Sequence, residues 1–393
     1  MADLRNLTIL HSNDMHGDFL AEEIDDDLVG GVSMLSGYLN KVRTEDPEAL
    51  YVIAGDMFRG SIIDAEYQGV STIEIMNYLA PDVVTLGNHE VDYGMAHLLF
   101  LEKCCKFPIV NANLYIKTTG MRIFNSHKVL RAAGMNILFI GIITEEIMAA
   151  AKNDNLMGTF VDINEAAEEV GKICDNYKSV DIDLTILLTH VGFEEDKKLA
   201  KLLLPEWGVD VIIGGHPHVL QPYGRLSDDQ GNSTFIFYSL GNFVSTQQEL
   251  PELLEGMASF TIQKTTLNGQ STIEILSPEV KPMVMHYNHD TGDYGPYMLD
   301  DYTEDLASQH SVRNLIGDEF TLANLKAKFQ EIMSMNVTPS TNTNLLNVKF
   351  DWEGNMIDKT TGETVEDGSS GSDSSGDDSS DSSYDDESYD TSY

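Results

Sequence analysis

An α/β fold built on mixed sheets is the architecture this 393-residue chain predicts. Three observations carry it. Seven short apolar runs rich in β-branched residues alternate with amphipathic stretches. The runs are almost continuously apolar, as in strands covered on both faces. Two later runs flank Asn268-Gly269, which reads as the turn of an antiparallel hairpin.

The apolar runs are Leu7–Leu10, Leu50–Ala54, Val83–Leu86, Asn136–Ile143, Leu184–Leu188, Val209–Ile213 and Thr234–Tyr238. Between them, Val32–Arg43, Ser71–Leu79, Met95–Lys106 and Asn164–Tyr177 read as helices. In the last of these, Glu165, Glu168, Glu169 and Lys172 fall on the wet side of a helical repeat. The later hairpin joins Ser259–Gln263 to Ser271–Leu276. Residues 312–335 read as one closing helix, apolar at Leu322, Leu325, Phe329 and Met333. After Pro339 the pattern weakens, and Val348–Trp352 and Met356–Lys359 flank Glu353-Gly354-Asn355 as a short exposed hairpin. From about Glu366 the chain is almost entirely Ser, Asp, Gly and Tyr, too polar to bury a core and expected to be disordered. The predicted organisation is one domain over 1–335, an extended or hairpin segment over 336–365 and an acidic tail over 366–393.

Composition narrows the function. The hydrophobic share of 42% supports a sizeable core. The net charge is −40, of which the residues from Asp351 onward hold −13, so the body itself is strongly acidic. Such a surface repels a nucleic-acid backbone, which argues against duplex DNA as partner. An anionic substrate would need local positive charge, and bound metal ions supply it. No stretch of 18 apolar residues exists to span a bilayer. The N-terminus lacks the basic and apolar regions of a secretion signal, so the expected location is the cytoplasm. The three cysteines, Cys104, Cys105 and Cys174, form no CxxC pair and no disulfide pattern; they are expected to be buried thiols.

The chemistry lies at the carboxyl end of each apolar run. Leu7–Leu10 leads into His11-Ser-Asn-Asp14-Met-His16-Gly17, and Leu50–Ala54 into Gly55-Asp56. Val83–Leu86 leads into Gly87-Asn88-His89-Glu90, Leu184–Leu188 into Thr189-His190, and Val209–Ile213 into Gly214-Gly215-His216-Pro217-His218. Ligands bind at the carboxyl ends of strands in α/β sheets. Asp, Asn and His together suit Mn²⁺, Zn²⁺, Fe or Mg²⁺. The Asp-x-His and His-x-His spacings place alternate side chains on one side of an extended segment. A lone strand-end Asp is ordinarily a turn residue and a lone His ordinarily structural, but five such clusters in strand order are hard to obtain by chance. Two ions about 3.5–4 Å apart can hold the attacking and leaving oxygens of a phosphoryl displacement, and Asp56 is the natural bridging carboxylate. The other six histidines (His11, His97, His127, His286, His289 and His310) read as structural or surface residues, His11 being the nearest to the cluster.

These motifs resemble the calcineurin-like metallophosphoesterase superfamily. Within it, Gly30-Gly-Val-Ser-Met-Leu, Asn77-Tyr-Leu-Ala-Pro-Asp82 followed by Gly87-Asn-His-Glu-Val-Asp92-Tyr-Gly, Val110-Asn-Ala-Asn113-Leu and Tyr238-Ser-Leu-Gly-Asn-Phe243 are similar to the catalytic domain of the 5′-nucleotidase family. The resemblance covers roughly residues 5–290. It implies a four-layer αββα sandwich of two mixed sheets. It also implies two divalent ions: Asp14, His16 and His218 on the first, Asn88, His190 and His216 on the second, and Asp56 between them. His89 and Asp92 match the family's catalytic dyad. Asn88 and Arg59 are the candidate contacts to substrate, with a surface arginine as the alternative reading of Arg59. Glu90 is expected to make a structural hydrogen bond. The reaction implied is in-line attack of a metal-activated hydroxide on a small phosphate ester, most naturally a nucleotide. Alternatives are a cyclic-nucleotide phosphodiesterase, a nucleotide-sugar pyrophosphatase, or a non-catalytic scaffold that reuses the fold. The nucleoside-binding domain that follows the catalytic domain in typical relatives is expected to be absent here.

Overall fold

The structure is a computed structural model. It describes residues 2–5, 7–17, 19–20, 22–24, 27–29, 31–116, 118–144, 158–215, 219–227, 233–241, 249–267, 270–288, 290–291, 293–335, 348–350 and 356–358. The chain divides into two compact units, Met1–Leu346 and Asn347–Tyr393.

In the first unit the order of elements is β1 (Ala2–Arg5), β2 (Ile9–Ser12), β3 (Glu22–Ile24), β4 (Asp27–Val29), α1 (Gly31–Glu45) and β5 (Leu50–Ala54). There follow α2 (Ile62–Tyr67), α3 (Val70–Leu79), β6 (Val83–Thr85), α4 (Met95–Cys104), β7 (Leu114–Ile116), β8 (His127–Ala132) and β9 (Met135–Ile143). Next are β10 (Gly158–Phe160), α5 (Ile163–Tyr177), β11 (Leu184–His190), α6 (Phe193–Leu202), β12 (Val211–Gly214), β13 (Tyr223–Ser227) and β14 (Ser233–Phe237). A long antiparallel pair, β15 (Leu254–Leu267) and β16 (Gln270–Asn288), then β17 (Asp293–Met298), α7 (Glu304–Gln309), α8 (Arg313–Ile316) and α9 (Leu322–Met333) complete it.

The period-two alternation of the strands divides their side chains between cores. In β5, Leu50 and Val52 enter one core and Tyr51 and Ile53 another. In β9, Ile137 and Phe139 enter that same first core while Leu138, Ile140 and Ile142 enter a third. The first core is therefore the seam between two β layers. The second core packs β5 and β6 on α1, α3 and α4 through Leu39, Ile73, Met76 and Leu98. The third packs β9, β11 and β12 on α5 and α6 through Val170, Ile173 and Leu199. This is the expected αββα order.

The six-stranded sheet runs β13-β14-β12-β11-β9-β8, parallel at its four inner strands and antiparallel at both edges. The other β layer has two ladders: parallel β2-β5-β6, and antiparallel β1-β15-β16-β17. Ile9–His11 of β2 and Gly256–Ala258 of β15 line one cavity of about 60 Å³, so these strands are neighbours although no ladder joins them.

Two expectations need correction. The stretch 312–335 is not one helix. Gly317, at φ +60, ends α8, and Thr321 caps a separate α9 by accepting from the Asn324 N–H. Cys104 and Cys105 are half-buried, and only Cys174 is buried. The hairpin of β15 and β16 is longer than predicted, and its turn residues Asn268 and Gly269 lie outside the described residues. So does the acidic tail. In the second unit, β18 (Val348–Phe350) pairs antiparallel with β19 (Met356–Asp358), as the short-hairpin reading expects. Among the described residues, no helix is long and apolar enough to cross a membrane.

Candidate metal centre

The parallel strands bring their carboxyl ends to a common edge, and five of the seven predicted ligands meet there. Asp14 and His16 follow β2, Asp56 follows β5, Asn88 follows β6, and His190 ends β11. His216 and His218 lie outside the described residues. Backbone bonds tie the first two loops together, from Asp14 N–H to the Gly55 carbonyl and from His16 N–H to the Asp56 carbonyl, both 3.0 Å. Gly55, at φ +87, cannot be replaced without cost: a Cβ there would lie 2.8 Å from His190 Nδ1 and 2.7 Å from the Gly87 nitrogen.

Two triads of candidate ligand atoms lie within 4.8 Å of one another: His16, Asp56 and His89, and Asp14, Asp56 and His190. Asp56 belongs to both. His190 Nδ1 donates to the Ala54 carbonyl at 2.7 Å, and its Nε2 stands 3.2 Å from both Asp56 Oδ2 and Asn88 Oδ1. His16 likewise turns Nδ1 to the carbonyls of Arg59 (3.0 Å) and Phe58 (3.2 Å), and its Nε2 is 3.9 Å from Asp14 Oδ1. Backbone carbonyls that fix one ring nitrogen and leave the other aimed at carboxylates are what a metal-binding histidine needs. The donor set and its geometry fit divalent cations.

The electrostatics agree. Burial works against charge on His190, but Asp56 and Asp14 beside it outweigh burial and hold its imidazole up at about 9. Burial also opposes the Asp56 carboxylate, yet His190 and the His89 N–H keep it well below the usual range. A proton on His190 thus balances the carboxylates, and a bound cation would take over that charge and release the proton.

Beside this cluster, His89 Nδ1 meets Asp92 Oδ2 at 2.8 Å, and the His89 backbone N–H donates to Asp56 Oδ1 at 2.9 Å. Burial lowers the His89 pKa, but the Asp92 hydrogen bond and the charges of Asp56, Asp92 and Glu90 raise it further. Arg59 Nη1 is 3.2 Å from the same Asp92 oxygen.

Two carboxylates that sequence reasoning passed over or underrated organise these loops. Glu90 is 1% exposed and accepts the backbone N–H groups of Asp56 (3.0 Å), Met57 (2.6 Å), Phe58 (3.4 Å) and Gly87. Burial and the Asp56 charge push its carboxyl up to about 7, against the pull of those donors. Asp64, fully buried, accepts from the Arg59 N–H (2.7 Å), the Tyr93 hydroxyl (2.7 Å) and the Thr72 hydroxyl. The signal for it was Ser61-x-x-Asp64, the form of a helix-start capping motif; the Ser61 hydroxyl accepts from the Asp64 N–H.

A sandwich of this order, with carboxylates and imidazoles at the strand ends, forms a candidate metal centre. The comparisons agree. The family model described as "Bacterial capsule synthesis protein PGA_cap" matches residues 70–247. Mouse (Mus musculus) 5′-nucleotidase is 34% identical over 226 residues, which cover 53% of this chain and 37% of that protein. A 5′-nucleotidase precursor from Thermus thermophilus superposes with a TM-score of 0.54 at 24% identity, covering 71% of this chain and 54% of that one. The calcineurin-like phosphoesterase YfkN from Bacillus subtilis superposes at 0.55 and 20% identity, covering 82% of this chain and all of that one. Over about half its length the chain is thus similar to 5′-nucleotidases, and its fold is that of the calcineurin-like phosphoesterase. It spans less than half the length of the curated relatives it matches.

Proposed function

We propose that this chain is a dinuclear metal-dependent phosphoesterase acting on a nucleotide. Asp14, His16 and His218 would hold one cation, Asn88, His190 and His216 the other, with Asp56 shared. The observation that carries the reading is the paired orientation of His16 and His190. Each has Nδ1 on a backbone carbonyl and Nε2 toward the carboxylates, around an Asp56 common to both candidate triads.

Bound divalent cations would draw charge from the phosphoryl oxygens and make water acidic enough to attack near neutral pH. The protein's own part is positioning and proton transfer. Glu90 fixes the Asp56 and Gly87 turns through four backbone N–H groups. Asp92 fixes His89 through Nδ1, so Nε2 is the nitrogen left to face a phosphoryl group. The Asp92 hydrogen bond favours the charged form of His89. An imidazolium there can steady a developing oxyanion or give its proton to the leaving oxygen. The 5′-nucleotidase relatives support a nucleotide as substrate.

The test is metal content by elemental analysis, together with phosphate release from nucleoside monophosphates, cyclic nucleotides, dinucleotides and nucleotide sugars. Asp56→Asn should lose metal and turnover together. A variant that keeps both would sink the proposal.

A further inference from the structure

Arg59 is held in place with unusual care for an exposed side chain. Its backbone sits in the left-handed region, at φ +63, a conformation that strains an arginine and persists only when neighbours enforce it. Neighbours enforce it from both sides. The Arg59 N–H donates to buried Asp64 at 2.7 Å, and the Arg59 carbonyl accepts from His16 Nδ1 at 3.0 Å. Asp64 is in turn tied to Tyr93 and Thr72. The result is a guanidinium whose position is set by the same bonds that orient a candidate metal ligand.

That position is informative. Arg59 Nη1 touches Asp92 Oδ2, the oxygen that also takes His89 Nδ1. With Nδ1 on Asp92, Nε2 is the His89 nitrogen left for the reacting phosphoryl, and His89 shares a candidate triad with Asp56 and His16. Arg59 therefore meets the dyad at Asp92, on the Nδ1 side of the imidazole. Its side chain is 60% exposed, so the guanidinium, which carries five N–H donors, is open to solvent. In a chain of net charge −40, a fixed cation at this rim suits an anion. The dyad faces the leaving oxygen, so the group that reaches Arg59 is part of the leaving group and not the phosphoryl under attack.

We propose that Arg59 is a specificity-determining residue that binds a second phosphate, carried on the leaving group. The favoured substrates are then nucleoside diphosphates over monophosphates. This rests on the phosphoesterase reading above. In the reaction a water oxygen bonds to the terminal phosphorus and the bridging P–O bond breaks. The bridging oxygen leaves with its electron pair on the nucleoside monophosphate and takes up a proton as pH requires. The products are orthophosphate and the monophosphate, with no redox change.

The test compares kcat/KM for ADP and AMP, by phosphate release from the full chain with Mn²⁺. The readout is the ADP-to-AMP ratio, which is insensitive to any general loss caused by disturbing Asp92. Arg59→Gln should lower that ratio about 10- to 100-fold, the worth of one charge-assisted contact, and Arg59→Lys by less. Calorimetry with a diphosphate whose bridging oxygen is replaced by methylene should show a similar loss of affinity without turnover. An unchanged ratio in Arg59→Gln, with AMP and ADP falling together or not at all, overturns the proposal and leaves the phosphoesterase reading standing. If the parent chain releases no phosphate from any ester, both fall.

Discussion

Replacing Asp64 with alanine tests whether the loops at the metal centre are held by this buried carboxylate. Asp64 Oδ2 receives the Arg59 N–H and the Tyr93 hydroxyl, each at 2.7 Å, and Oδ1 receives the Thr72 hydroxyl. Alanine removes both acceptor oxygens and with them all three hydrogen bonds. Thr72 is 1% exposed and its hydroxyl has no water to turn to, while Tyr93 lies nearer the surface. Each buried polar group stranded in this way costs about 1–3 kcal/mol, so the loss should be about 3–5 kcal/mol. Asparagine should behave differently. With its amide oxygen toward Arg59 and Tyr93 and its NH₂ toward a rotated Thr72 hydroxyl, every contact survives and only the charge is lost, at about 1 kcal/mol. Activity should follow the same order. Once Arg59 relaxes from φ +63, both His16 and Asp92 lose a partner, and a misplacement near 1 Å can cost on the order of 10²-fold in rate. Chemical denaturation and AMP turnover on both variants check this. Equal midpoints for the alanine and asparagine chains, or an alanine chain with parental turnover, would refute the reasoning.

Three further outcomes are expected. His89→Ala should keep its metal by elemental analysis and lose about 10²- to 10⁴-fold in kcat; full turnover would show that His89 and Asp92 are not the dyad. Burial pushes Asp196 up to about 8, while the unfolded chain titrates it near 3.9. Between those values the folded state binds the extra proton, so this contribution favours folding at low pH and is lost as pH rises through the window. Asp196→Asn, neutral throughout, should flatten that part of the stability curve and exceed the parent above about pH 8 in denaturation midpoints; matching slopes for the two chains would exclude this role. Truncation before Glu366 should leave phosphate release unchanged, and a large loss would assign the acidic tail a catalytic part.

The fold was legible because its strands are short, apolar on both faces and separated by helices of regular period. The alternation that sends Leu50 and Val52 to one core and Tyr51 and Ile53 to another is written directly in the chain. The described part of the candidate site was legible for a related reason: Asp14, His16, Asp56, Asn88 and His190 end or follow their strands by a few residues, so strand order alone gathers them. The illegible contacts are those that cross the chain. Glu90 reaches back more than thirty residues to Asp56 and Met57, and Asp64 meets Tyr93 from another loop. Bonds between a side chain and a distant backbone leave no period in the sequence. The closing helix failed similarly, because the apolar spacing of 312–335 is compatible with one helix and only the left-handed turn at Gly317 divides it.

The strain pattern explains why such carboxylates are needed at all. Of the eight non-glycine residues with positive φ among those described, four are Asp14, His16, Asp56 and Arg59. Glycine would take those turns without strain, but glycine has no ligand atom and no guanidinium. The candidate site therefore places ligand-type side chains where the backbone resists them, and other bonds must offset the cost. Glu90 does so for Asp56, with acceptors for three successive N–H groups; Asp64 does so for Arg59; and the paired bonds from the β2 loop to Gly55 and Asp56 do so for Asp14 and His16. A sequence displays the glycines at such turns and conceals the strained residues beside them, since strain becomes visible only when the groups that enforce it are seen in contact.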